Sequence, residues 1–110
     1  MHETYVFHQS EFNAPLGNNP AFALAFYIRA NDWADIGNLD RAIADYDAAL
    51  TINPMFAAAL VNRGAAWARK GDLDRAIADY DTVLRMNPHD EKAKKNRSIA
   101  LDQKHEFDRQ

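Results

Sequence analysis

Apolar residues recur at helical spacing along most of the chain. Phe26, Ala30 and Trp33 fall on one face, and Leu60, Gly64 and Trp67 copy that face further on. Ala42, Ile43, Tyr46, Ala49 and Leu50 form a second stripe, copied by Ala76, Ile77, Tyr80, Val83 and Leu84. Steps of three and four residues keep side chains on one side of a helix, so each stripe predicts an amphipathic helix with a buried face. The pattern predicts helices near 22–36, 39–52, 56–70, 73–86 and 90–105. Gly37 and Gly71 lie between paired helices, where a left-handed residue closes the first. Asn38 and Asp72 follow, placed to accept hydrogen bonds from the next helix's open amides. Asn53-Pro54 and Asn87-Pro88 end the second helix of each pair, because proline has no amide donor and disfavours helix in the residue before it.

The copying has a fixed period. "DRAIADYD" runs from Asp40 to Asp47 and again from Asp74 to Asp81, 34 residues later. The same shift aligns Asn19-Pro20 with the two later Asn-Pro pairs, Trp33 with Trp67, and Arg29 with Arg63 and Arg97. Agreement across apolar, charged and turn residues marks a duplicated structural unit of two helices. In its bulky, small and aromatic sites (Phe26, Ala30, Trp33, Ala42, Tyr46 and Pro54, then Leu60, Gly64, Trp67, Ala76, Tyr80 and Pro88) the chain resembles the tetratricopeptide repeat. The resemblance covers roughly three quarters of the chain. It implies an all-α fold, a right-handed superhelical stack of antiparallel helix pairs. The expected layout is a non-repeat tail over 1–20 and a repeat domain over 21–105, followed by a short tail over 106–110. Within the domain the first repeat spans about 23–56, the second about 57–90, and a solvating final helix about 91–105. Ala30, Gly64, Ala42 and Ala76 are small enough to let paired helices approach, leaving tryptophan and tyrosine rings to fill the gap. Arg29 and Arg63 stand where the family usually has leucine. Their guanidinium groups must either snorkel to water or pair with acids of the following helix, such as Asp45 and Asp79; the favoured reading is the ion pair, as a packing device.

Composition narrows the chemistry. At 110 residues and 47% apolar, the chain has material for one core. The net charge of -3, with acids and bases interspersed, argues against a surface that tracks nucleic-acid phosphates. The absence of cysteine excludes disulfides, thiolate metal sites and cysteine nucleophiles. His2, His8, His89 and His105 lack ligand spacing, so no metal site is expected. The "ADYD" carboxylates recur with the repeat and have no converging base, which reads as solvated helix surface; neither catalysis nor a cofactor is expected. The apolar run from Ala21 to Ile28 is too short to span a bilayer and no basic segment precedes it, pointing to a soluble, cytoplasmic protein without membrane insertion.

What remains is binding. Stacked helix pairs curve, and the first helix of each pair makes the inner face. The resemblance implies that this face holds a peptide or protein segment. Helical spacing places Leu24, Tyr27, Asn31, Ala34 and Asp35 there from the first repeat, with Ala58, Val61, Asn62, Ala65 and Arg69 from the second. The last helix adds Lys92, Lys95 and Asn96. In this reading Tyr27 is an apolar anchor, Asn31 and Asn62 engage the partner's backbone, and Arg69 and Lys92 meet acidic groups. Some family members grip the carboxylate tail of heat-shock chaperones with five polar groups. Asn31, Asn62 and Lys92 match three of these, whereas Tyr27 and Asn96 replace two cations.

The ends differ. The C-terminal helix has a capping candidate in Asp90, a thin apolar side of Ala93, Ala100 and Leu101, and charge elsewhere. The first helix carries Phe22, Leu24, Phe26, Tyr27 and Ile28 on nearly every side, as buried helices do. Its cover could be the tail with Tyr5, Val6, Phe7, Phe12 and Leu16, a second copy, or repeats outside this sequence. The alternative function is accordingly self-assembly into a homodimer or larger homo-oligomer through Tyr5, Phe7, Phe12, Phe22, Phe26 and Ile28.

Overall fold

In the computed structural model, residues 19–110 are described. They form five helices and, within that range, no strand: α1 Pro20–Asp35, α2 Leu39–Ile52, α3 Ala57–Lys70, α4 Leu73–Met86 and α5 Glu91–Asp108. Each packs on its chain neighbour, and α3 also touches α1 and α5. The odd-numbered helices therefore form one layer and the even-numbered helices the other.

Local chemistry sets the helix ends. Asn19 caps α1 by accepting from Ala21 N at 3.0 Å, with Pro20 in the first turn, where a missing amide costs nothing. Gly37 and Gly71 adopt φ of 84° and 92°, the left-handed region that closes α1 and α3. The closures are alike: Asn38 N and Asp72 N reach back to the carbonyls of Trp33 and Trp67, both at 2.9 Å. Asn38, Asp72 and Asp90 accept from the amides of Arg41, Arg75 and Ala93. Asn53 and Asn87 end α2 and α4, and each also accepts from the backbone amide two residues on, shaping the turn to the next helix. Helix α5 runs on to Asp108, three residues beyond its expected end. No breaker interrupts it there, and Lys104 pairs with Asp108 one turn later at 3.5 Å.

The core is small residues against tyrosine. Ala30, Ala42, Ala49, Ala59, Ala76 and Ala93 are fully buried, and Tyr46, Tyr80 and Val83 are the largest side chains shut from solvent. Trp33 and Trp67, expected as gap fillers, are only half-buried, and each is roofed by the guanidinium of Arg41 or Arg75, 4.9 and 4.7 Å from the ring centre.

Two series of ion pairs repeat with the stack. Arg29 grips Asp45 with two bonds of 2.7 and 2.9 Å, and Arg63 grips Asp79 with two of 2.9 and 2.7 Å. Arg63 also reaches Asp47 of the preceding unit at 2.8 Å, as Arg97 reaches Asp81. A second series joins Lys70 to Asp40 and Lys104 to Asp74. The arginines thus bind helix to helix within a unit and unit to unit along the stack, and they stand in for the leucine usual at this site.

Candidate functional site

The odd-numbered helices leave two clefts between them, each a copy of the other shifted by one repeat. The first, of about 360 Å³, is lined by Asn31, Ala34 and Asp35 of α1, Tyr46 of α2, and Asn62, Ala65, Ala66 and Arg69 of α3. The second, of about 270 Å³, is lined by Ala65, Ala68 and Arg69 of α3, Tyr80 of α4, and Asn96, Ile99, Ala100 and Gln103 of α5. Ala65 and Arg69 line both, so the clefts form one continuous groove. Its first half sets Asp35 against Arg69, while its second half exposes the Ile99 side chain.

The floor of the first half is a coupled polar network. Tyr46 donates its hydroxyl proton to Asn31 Oδ1 at 2.5 Å, and Asn62 Nδ2 donates to the same oxygen at 3.0 Å. Asn62 Nδ2 also donates to the Tyr27 hydroxyl at 3.3 Å. Arg69 donates to the carbonyl of Ala34 at 3.1 Å, which ties α3 to the last turn of α1. Burial, with a smaller contribution from the nearby Tyr27 phenol, raises the Tyr46 pKa from its ordinary 10.0 to about 12. The fold therefore favours the neutral phenol. Its contribution to stability is complete below pH 10.0 and lost as pH rises to about 12. Burial raises Tyr80 as well, so phenolate absorbance during alkaline titration should show a late component that Tyr46→Phe reduces without abolishing; a titration unchanged by the substitution would contradict the raised Tyr46.

Of the groove residues expected from sequence, the clefts bring together Asn31, Asn62, Ala65 and Arg69, with Ala34, Asp35 and Asn96 beside them. Leu24, Ala58, Lys92 and Lys95 are exposed but line neither cleft. Val61 does not offer a contact surface: it is 4% exposed, because a first helix inside a stack faces both its own second helix and the preceding one. Tyr27 is not a projecting anchor either. Its ring packs 4.8 Å from Phe56 and 6.2 Å from Tyr46. Ile99 escaped the sequence reading; it sits one repeat beyond Ala65 and two beyond Asn31, so the 34-residue register could have found it. Among the self-association residues, Phe22 and Phe26 are buried and Ile28 is 51% exposed, while Tyr5, Phe7 and Phe12 lie outside the described residues. Among the described residues no group of histidine and carboxylate side chains could hold a metal, and no helix is long and apolar enough to cross a membrane.

Solved structures share this architecture. The second TPR domain of human RPAP3, in complex with HSP70 peptide SGPTIEEVD, is 25% identical over 84% of this chain and 77% of its own, with a TM-score of 0.71. The first TPR of Spaghetti (RPAP3), bound to HSP90 peptide SRMEEVD, is 24% identical over 74% and 65%, with a TM-score of 0.72. MamA is 22% identical over 87% of this chain and 56% of its own, at a TM-score of 0.75. The present chain thus spans little more than half of MamA and just under two thirds of the Spaghetti domain. No curated protein matches the sequence. The tetratricopeptide repeat profile matches residues 27–91, more than half of the chain, and with the stacked helix pairs this establishes that the protein belongs to the tetratricopeptide repeat family.

Proposed function

We propose that the protein is a non-catalytic interaction module that holds a peptide segment of a partner protein in the groove between α1, α3 and α5. One observation carries this reading. Asn31 Oδ1 accepts two hydrogen bonds and Asn62 Nδ2 donates two, and both residues line the first cleft, so the groups left for a ligand are the Asn31 amide protons and the Asn62 carbonyl oxygen. One donor beside one acceptor matches the C=O and N–H of a peptide bond. The network fixes both side chains before a ligand arrives, lowering the entropic cost of binding. Asp35 and Arg69 flank the pair and favour partner side chains of opposite sign, while Ala65, Ala68 and Ile99 offer an apolar seat for a neighbouring side chain. The complex of the human RPAP3 domain with an HSP70 peptide supports peptide holding as a use of this fold.

A display library of random linear peptides selected on the full chain tests the reading. Selected peptides should lose about tenfold in affinity to Asn62→Ala, the equivalent of about 1.4 kcal/mol. They should lose at least as much to Ile99→Glu, and Arg69→Glu should reverse the charge preference beside the anchor. Circular dichroism of each variant separates lost binding from lost fold. Peptides indifferent to all three substitutions would place the binding surface elsewhere.

A further inference from the structure

The outward face of α1 departs from the repeat in a directed way. One repeat on, the positions of Ala25, Asp32 and Ile36 are Ala59, Ala66 and Lys70; two repeats on, they are Ala93, Ala100 and Lys104. In α3 and α5 the alanines are buried and the lysines pair with Asp40 and Asp74 of the preceding unit. Ala25 and Asp32 of α1 are exposed, and Ile36, the residue that follows its last turn, is 74% exposed. Arg29 has a side chain 58% exposed where that of Arg63 is 23%, because Arg63 has Asp47 as an additional partner. The face therefore carries an acid where a preceding helix would press, and an isoleucine where a lysine would grip that helix's aspartate.

A cover built like α2 or α4 would bury the Asp32 carboxylate and would need a cation against it. Residues 1–18 contain no lysine or arginine; their basic side chains are His2 and His8, set among Glu3 and Glu11, so they offer no permanent cation. A second copy of the chain does supply the cation. When two α1 helices lie antiparallel about a two-fold axis, pairing Arg29 with the partner's Asp32 makes the residue numbers of facing side chains add to a constant. The same register sets Ala25 against the partner's Ile36, a large side chain over a small one. Both contacts occur twice, as a symmetric interface requires. We propose that the outward face of α1 docks a second copy of this chain, forming an antiparallel, two-fold α1–α1 pair with reciprocal Arg29–Asp32 ion pairs and Ala25–Ile36 contacts. The groove of the proposed peptide site stays open in this dimer, since the contacts use a different face of α1.

Sedimentation equilibrium of the full chain over a range of concentrations should show reversible monomer and dimer. Asp32→Lys sets cation against cation and should leave only monomer, as should Ile36→Glu, with helical content unchanged. Because the chain has no cysteine, Ala25→Cys with Ile36→Cys in one chain gives a direct test of register. The two sites lie about 16 Å apart on one helix, too far to bridge within a molecule. Oxidation should therefore yield a covalent dimer, and Ala25→Cys alone should yield none. A chain monomeric at every concentration would overturn the proposal, and this is the result if residues 1–18 or another segment cover the face. Association that survives Asp32→Lys, or equal crosslinking by the single variant, would also overturn it.

Discussion

Replacing Arg63 with methionine should lower the stability of the fold by about 3–5 kcal/mol, the cost of removing one partner from a buried ion pair. Arg63 makes two hydrogen bonds to Asp79, whose side chain is 8% exposed, and one to Asp47 of the preceding unit. Without the guanidinium, the Asp79 carboxylate is left buried between α3 and α4, where water cannot take its place. Domains of this kind are stable by about 5–15 kcal/mol, so the loss is a large share of the total. The melting temperature should fall by more than about 12 °C. Arg29→Met should cost less, about 1–2 kcal/mol, because Arg29 lies at the open end of the stack and water can reach Asp45 once it is gone. Thermal unfolding followed by circular dichroism measures both; equal losses, or an Arg63 variant as stable as the parent, would refute the stacking role.

The doubled contact of Arg63 also decides where a charge exchange can be read. Swapping Arg63 and Asp79 would put an acid beside Asp47, so little of the loss should return. Arg29 binds Asp45 and has no second carboxylate among the described ion pairs. The exchange of Arg29→Asp with Asp45→Arg is therefore the informative cycle, and the double variant should recover part of what each single change loses.

These arginines show what the sequence could reveal. The same signs recur at matched positions 34 residues apart, arginine at 29 and 63 and aspartate at 45 and 79, so Arg29 with Asp45 and Arg63 with Asp79 could be read as pairs from the sequence. The caps at Asn38, Asp72 and Asp90 and the glycine closures were equally legible, because each depends on residues within one turn. The cross-links from Arg63 to Asp47 and Lys70 to Asp40 were not, since they depend on how units dock. The same limit explains the groove. Helical spacing places Tyr27 and Val61 on an inner face, but only docking of α2 against α3 shows that Val61 is buried and that the Tyr27 ring lies against Phe56. The Asn31–Asn62 bond joins residues 31 apart in sequence, beyond any local pattern.

Gly64→Val should destabilise the fold by about 2–3 kcal/mol, the upper part of the range for forcing extra atoms into a packed core. A Cβ at Gly64 would lie 2.6 Å from Tyr80 Cε1 and 3.1 Å from both Cδ1 and Cζ, closer than carbon atoms approach without displacement. The ring cannot swing aside, since Tyr80 is 2% exposed and held between α3, α4 and α5. Gly64→Ala meets the same obstacle with fewer atoms, and alanine favours helix over glycine by about 1 kcal/mol, so it should cost less than valine. The first unit makes the comparison internal: Ala30 occupies the equivalent site and is fully buried, so that pair of helices already accommodates a Cβ. The obstacle is the ring edge rather than the hydroxyl. Tyr80→Phe should therefore leave the Gly64→Val loss in place, whereas Tyr80→Leu, which removes the ring, should make the added cost of valine smaller. If Gly64→Val melts with the parent protein, or if Tyr80→Phe relieves it as fully as Tyr80→Leu, the α3–α4 spacing is not set by this contact.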